Sequence, residues 1–274
     1  MDALNEAKDR WNGRRENHEF EELSLVTREG LRLAGYYWSS SKTTEKGQYE
    51  KTVILVHGMM DSGAGMGYLA EEYHERYWNV LCIDLRAHGE SGGTKMTMGY
   101  READDIALWV DLISVNYPSS SVFLHGVSMG GAAVLMYCGL SSRLPPCVKG
   151  VISDSSYASY TETFIRLLYL VVKNQFVSLS IVQGTSLVSW LLSGVRFGLM
   201  SPIKMINRIT VPILFFHGQK DVLIPPGMVQ KMMEKASALG AESVIIPEAP
   251  HIGAYFYARE LYMQRIDDFY RRNK

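Results

Sequence analysis

SVFLHGVSMGGAAVL, residues 121–135, decides how the rest of this chain is read. It begins with a short apolar run of β type, Val122-Phe123-Leu124. From Gly131 to Tyr137 it continues with small residues and good helix formers. Between the two stands Gly126-Val127-Ser128-Met129-Gly130, a G-x-S-x-G arrangement. A strand, a very tight turn and a helix in that order hold the serine in a strained backbone conformation, with its hydroxyl exposed at a sheet edge. Gly126 and Gly130 remove the side chains that would clash in such a turn, and Gly131 lets the helix pack close to the strand. The new helix also turns its free N–H groups and positive dipole end toward the serine. These flanks make Ser128 a candidate nucleophile rather than one more serine in a Gly/Ser loop.

Working outward, the chain alternates strands with helices. Residues 22–27 and 31–38 read as an antiparallel hairpin around Arg28-Glu29-Gly30, and residues 39–51 as polar and turn-like. TVILV (52–56) and NVLCID (79–84) are continuous apolar runs, as expected of strands buried on both faces. Further strands are predicted at 148–153, 211–216 and 242–246. Helices are predicted at 66–76, 100–115, 225–239 and 254–271. The 100–115 helix carries Glu102, Asp104 and Asp105 in its first turns, which complements its dipole. The pattern implies an α/β fold whose sheet of eight strands is mostly parallel, with helices on both faces. Residues 155–207 break the rhythm with apolar stretches at 164–172, 176–182 and 187–192. They read as a helical lid inserted into a core formed by 1–154 and 208–274.

Bulk composition narrows the function. The chain has 274 residues, with 28 Lys and Arg against 29 Asp and Glu, so nothing favours nucleic acid or a polybasic membrane attachment. Three cysteines, Cys82, Cys138 and Cys147, make no disulfide framework, which favours a reducing, cytoplasmic compartment. The first 23 residues are charged throughout and contain no apolar signal core; they read as a short amphipathic helix or a frayed arm. Residues 174–195 contain serines, a threonine and two glutamines and read as too polar for a membrane span, so no integral membrane segment is expected.

A serine hydroxyl needs a base that is itself oriented by an acid. In a strand–turn–helix architecture of this kind the partners follow in the order acid, then histidine, from loops at the carboxyl ends of later strands. Asp221 follows the strand VPILFF, and His251 is the one histidine after it. Asp154, just past an earlier strand, is a rival acid. Asp84 is a weaker one, because it precedes Ser128. The backbone N–H groups of Met129 and of Met59, in the loop after TVILV, are candidate donors to an oxyanion. His57 reads as structural. No H-E-x-x-H or paired short spacing points to a metal, and the glycines of 58–67 fit neither a Walker loop nor G-x-G-x-x-G.

With these residues assembled, the chain resembles the α/β-hydrolase superfamily over nearly its whole length. VHGMMDS (56–62), DLRAHGESGG (84–93), HGVSMGG (125–131), FFHGQKD (215–221) and His251 carry the resemblance. SDSSYAS (153–159) and the segment 186–225 are similar to bacterial YqkD/Bem46-like hydrolases, often described as serine-aminopeptidase-like. The resemblance implies a serine esterase or related acyl hydrolase with no cofactor, acting on a small-molecule ester; peptidase, thioesterase and lipase chemistry stay open, as does a non-catalytic ligand receptor on the same fold. The aromatic residues of the insertion suggest an apolar acyl or aromatic group. Met60, Tyr157, Phe164, Trp190 and Phe197 are the candidate substrate-binding residues. The apolar insertion is also a candidate homodimer face.

Overall fold

Alternate residues of the strand Lys51–Val56 enter two different cores. Val53 and Leu55 face one, Ile54 and Val56 the other, and all four are fully buried. That is the burial of a central strand covered on both sides, and it explains why the run is β-branched without polar alternation. The computed structural model describes residues 2–40, 51–236 and 240–274. The predicted turn at 39–51 and the end of the helix predicted at 225–239 therefore lie largely outside the described residues.

The strands are β1 (Glu21–Val26), β2 (Arg32–Trp38), β3 (Lys51–Val56), β4 (Asn79–Ile83), β5 (Ser121–Val127), β6 (Val148–Asp154), β7 (Ile213–Gly218) and β8 (Glu242–Ile246). They form one sheet in the order β1-β2-β4-β3-β5-β6-β7-β8. β1 and β2 are an antiparallel hairpin, β2 joins β4 antiparallel, and every pair from β4 to β8 is parallel. The parallel strands therefore release their loops at one common edge, which is where ligands sit in open α/β sheets.

The principal helices are α1 (Asp2–Glu16), α2 (Gly67–Glu75), α3 (Glu102–Asn116), α4 (Met129–Leu140), α5 (Tyr160–Val172), α6 (Gln175–Ser193), α7 (Gly227–Ala236), α8 (Ala254–Tyr257) and α9 (Arg259–Asn273). Helices α3, α4 and α7 pack on one face of the sheet; α1, α2 and α9 pack on the other. The single helix predicted at 254–271 is broken at Ala258, whose φ of −148° is extended. Residues 176–182 and 187–192, read as separate stretches, belong to one helix, because the intervening Gln183, Gly184, Thr185 and Ser186 stay helical. Asn174 opens that helix by accepting from the N–H groups of Phe176 and Val177, and Gly194 ends it in the left-handed conformation. By length and composition α6 is long and apolar enough to cross a membrane, in spite of its polar residues.

The charged N-terminal arm is a helix docked on the sheet. Ala7 and Trp11 are buried, and Trp11 stacks on Phe20 with ring centroids 4.2 Å apart and meets Tyr36 edge-on. Gly67 makes the approach possible, since a Cβ there would come within 3.3 Å of the Trp11 Cβ. Trp11 thus fastens α1 to the hairpin and to α2. Trp11→Ala is expected to cost about 3 kcal/mol, a fall of roughly 6–12 °C in the thermal midpoint. Circular dichroism melts check this, and an unchanged midpoint would show that α1 is not part of the cooperative core.

Candidate active site

Ser128 sits between β5 and α4 with φ 55° and ψ −115°, a conformation that L-residues other than glycine rarely hold. The backbone around it has no spare room. A Cβ on Gly126 would stand 2.2 Å from the Gly130 carbonyl oxygen, and one on Gly130 would stand 2.1 Å from the Val56 oxygen. On one side the Ser128 N–H donates to the carbonyl of Asp154 at 2.8 Å. On the other, Gly58 approaches so closely that its own Cβ would lie 3.4 Å from that of Ser128. The strained serine is therefore fixed by β3, β6 and the start of α4 together.

The loops after β7 and β8 bring two more groups to this place. His251 Nε2 lies 3.0 Å from Ser128 Oγ, and His251 Nδ1 lies 2.7 Å from Asp221 Oδ2. With Nδ1–H donating to the carboxylate, Nε2 is left as an acceptor facing the serine hydroxyl. The Asp221 and His251 loops are joined to each other: Gln219 N–H donates to Ile246 O, and Lys220 N–H to Ala249 O, both at 2.9 Å. Gly218 permits this contact, since a Cβ there would collide with the Ala249 oxygen at 2.2 Å.

Asp221 is buried and fully engaged. Its Oδ1 accepts the N–H groups of Leu223 and Ile224, and its Oδ2 faces His251 and, at 3.3 Å, His217. Burial pushes its carboxyl upward, but hydrogen bonds from His217 and His251, the His251 charge and the Ile224 N–H outweigh burial and hold it down at about 2. His217 donates its Nε2–H to the Ile224 carbonyl at 2.7 Å and thereby braces the Asp221 loop.

The rival acids have other occupations. Asp84 accepts the backbone N–H groups of Gly63 and Glu90 and ties the loops after β3 and β4 together. Asp154 ends a buried chain of hydrogen bonds. Burial lowers His125 to about 3, so its imidazole is neutral. Tyr73 donates to His125 Nδ1, His125 Nε2–H donates to the Tyr262 oxygen, and Tyr262 donates to Asp154 Oδ2. Ser155 donates to Asp154 Oδ1 and accepts the N–H of Ile252, the residue after His251. Burial raises Asp154, against the bonds from Ser155 and Tyr262 and the charges of His217 and His251. Sequence reasoning missed Ser155 and Tyr262. Ser155 lies in the SDSSYAS run, but its positive φ of 53° and its bonds to both acid and histidine loop cannot be read from residue type, and Tyr262 reads as an ordinary apolar position of α9.

His57 is structural by geometry. It is buried; Leu85 N–H donates to its Nε2, leaving Nδ1–H for the Gly58 carbonyl. Burial lowers it to about 4, which keeps it neutral in that role. Met129, the first residue of α4, is buried beside Ser128, whereas Met59 is half-exposed and Met60 stands out into solvent with φ 62°. Of the five candidate substrate contacts, Tyr157, Phe164 and Phe197 gather around the Tyr160 ring, whereas Met60 and Trp190 stand apart from them. Tyr157 is buried and donates to the Met98 carbonyl. Phe164 and Phe197 pack with Tyr160 in an aromatic cluster of the inserted segment. Trp190 lies on the exposed side of α6 with the Arg196 guanidinium over its ring. Among the described residues, no three His, Cys, Asp or Glu side chains are grouped so as to hold a metal ion.

Comparison with known proteins agrees with this architecture. The family model described as serine aminopeptidase, S33, matches residues 47–193, just over half of the chain. YqkD of Bacillus subtilis (strain 168) is 27% identical over 246 residues, covering 88% of this chain and 75% of that protein. The thermostable monoacylglycerol lipase of Bacillus sp. (strain H-257) is 23% identical over 238 residues, covering 81% of this chain and 90% of the lipase. Among solved structures, a Pyrococcus furiosus esterase superposes with a TM-score of 0.73 at 25% identity, covering 93% of each chain.

The low value at Asp221 has a consequence for stability. A carboxyl whose folded value is about 2 against an ordinary 3.8 stabilises the fold above pH ~4, and that contribution is lost as the pH falls through the folded value. Its size is about 2 kcal/mol. The stability difference between the wild type and Asp221→Asn is therefore expected to shrink by about that amount between pH 5 and pH 2. Urea unfolding at each pH measures it, and a difference independent of pH would mean that Asp221 is not held ionised by its partners.

Proposed function

The chain belongs to the serine aminopeptidase S33 family of α/β hydrolases, and on that premise we propose that it hydrolyses carboxylic esters through an acyl-enzyme on Ser128. One observation carries the reading: the hydrogen-bonded line Ser128–His251–Asp221, with the serine strained and Gly58 against it.

In the proposed reaction His251 Nε2 accepts the Ser128 proton as Oγ attacks the ester carbonyl. Asp221 holds the tautomer and stabilises the imidazolium that forms. The N–H groups of Met129, at the free end of α4, and of Met59 receive the negative charge of the tetrahedral intermediate. His251 then gives its proton to the leaving alcohol, and a water molecule repeats the sequence on the acyl-enzyme. Residues 155–207 act as the lid of the site. The likenesses to a monoacylglycerol lipase and to an esterase support an apolar ester substrate. The family description favours a peptide with a free amino terminus instead, which needs an acid to receive the ammonium. Glu162 is the one acid between 155 and 207, and it is engaged by Lys231 at 2.5 Å. That weighs toward the ester.

Hydrolysis of p-nitrophenyl esters of graded chain length tests the proposal. Ser128→Ala is expected to lose activity by on the order of a million-fold, and Asp221→Asn by roughly ten-thousand-fold. A fluorophosphonate probe is expected to label the wild type on Ser128 and to leave Ser128→Ala unlabelled. Equal rates for wild type and Ser128→Ala, or no adduct on the wild type, would sink the assignment.

A further inference from the structure

Helix α6 is built inside out. The residues it turns inward are Ser178 and Val182, followed by the half-buried Ser186 and Ser189. These serines are satisfied: the Phe197 N–H donates to Ser186 Oγ, and Ser189 Oγ donates to the Val195 carbonyl. Apart from Val182, its apolar side chains point away from the protein. Phe176 is 83% exposed and Leu191 68%, and Val177, Leu179, Ile181, Leu187, Val188, Trp190 and Leu192 are exposed beside them. A helix with serines inward and leucines outward leaves its favourable burial unspent in water.

The charge of the same segment is one-sided. From Thr163 to Lys220 the chain contains no Asp or Glu, although acids and bases nearly balance overall. The stretch carries Arg166, Lys173, Arg196, Lys204, Arg208 and Lys220. Lys173 stands at the start of α6 and Arg196 just past its end, so cations flank the apolar face at both ends. Among the described residues, no carboxylate pairs with Arg166, Lys173 or Arg196.

From this we infer that α5 and α6 lie in the plane of an anionic lipid surface, with the apolar face of α6 in the acyl boundary and the cations at the headgroups. An exposed apolar face flanked by Lys173 and Arg196, whose neighbouring acids Glu162 and Glu29 are engaged by Lys231 and by Arg86 and Arg101, is complementary to such a surface. A second copy fits less well, because two copies meeting through this face would bring their cationic rims together. The surface is continuous with the site, since Arg166 of α5 donates to the Val222 and Leu223 carbonyls beside Asp221, and both side chains are exposed. The docking does not require Ser128 chemistry, and its test does not measure activity.

The full chain is mixed with vesicles of phosphatidylcholine alone, or with about a quarter of the lipid replaced by phosphatidylglycerol. Binding is read by co-sedimentation and by tryptophan emission. Trp11, Trp38, Trp78 and Trp109 are buried, so a blue shift reports on Trp190. The wild type is expected to bind the anionic vesicles, to release them in high salt and to shift its emission. Phe176→Gln with Leu191→Gln, both exposed positions, is expected to bind at least about tenfold more weakly while melting at the same temperature. Lys173→Glu with Arg196→Glu is expected to lose the preference for anionic over neutral vesicles. The inference is overturned if the wild type neither sediments with the vesicles nor shifts its emission, or if both variants bind as the wild type does. It is equally overturned if vesicles leave the emission unchanged while the wild type is a dimer in solution that Phe176→Gln with Leu191→Gln dissociates.

Discussion

A side chain on Gly130 would stand 2.1 Å from the Val56 carbonyl oxygen, and one on Gly126 would stand 2.2 Å from the Gly130 oxygen. Everything at the candidate site depends on the room those two hydrogens leave. With it, α4 starts immediately against the carboxyl ends of β3 and β5, and Ser128 is forced to a positive φ at the helix N-terminus. The strain is held from three sides. The Asp154 carbonyl takes the serine N–H, Gly58 closes over the serine Cβ, and α4 is buried along nearly its whole length. A single element could relax; three elements of one sheet cannot relax together, and that is how a strained residue persists in a folded protein.

The two acids near Ser128 show how environment divides one chemistry into two roles. Both are buried, both end or follow parallel strands, and both lie close to His251. Asp221 collects two backbone N–H groups and two imidazoles, and these outweigh burial and keep it ionised. Asp154 collects two hydroxyls, and burial prevails. Asp221 meets the His251 ring, whereas Asp154 reaches the histidine loop through the Ser155 hydroxyl and the Ile252 N–H. One acid faces the proposed base, and the other steadies the backbone that carries it.

Much of this was legible in the residue order. Ser128, Asp221 and His251 stand in the chain as the strand ends that carry them stand in the sheet, because β5, β6, β7 and β8 are neighbours in sequence order. The runs at 52–56 and 79–84 announced buried strands because both of their faces are covered. What was not legible depends on partners distant in sequence. The charged arm hides the one tryptophan that docks it, and the charge of its neighbours conceals that burial. Ala258 breaks a helix without proline or glycine. Trp190 and Phe197 look alike as aromatic residues of one insertion, yet one is exposed beneath Arg196 and the other is buried against Tyr160. Type and spacing cannot separate these cases, since the periodicity of α6 is satisfied by either of its faces.

The inserted segment follows a different rule from the core. In β3 and α4 apolar residues are buried because the alternative is water, and the buried hydroxyl of β3, on Thr52, pairs with that of Ser120. In α6 serines take the inner positions because the residues after the helix, 195–197, offer a carbonyl and an N–H to bind. That leaves the leucines outward, and the chain from Thr163 to Lys220 adds bases and no acid around them. Both features would be costs for a protein surrounded by water alone. Both become favourable when the outer face meets an apolar phase bordered by negative charge. The apolar side chains beside Asp221, reached through Arg166, then connect that phase to the site. A sparingly soluble ester could in this way pass from the lipid surface to Ser128 without crossing bulk water, which joins the inverted helix to the proposed chemistry through one physical cause.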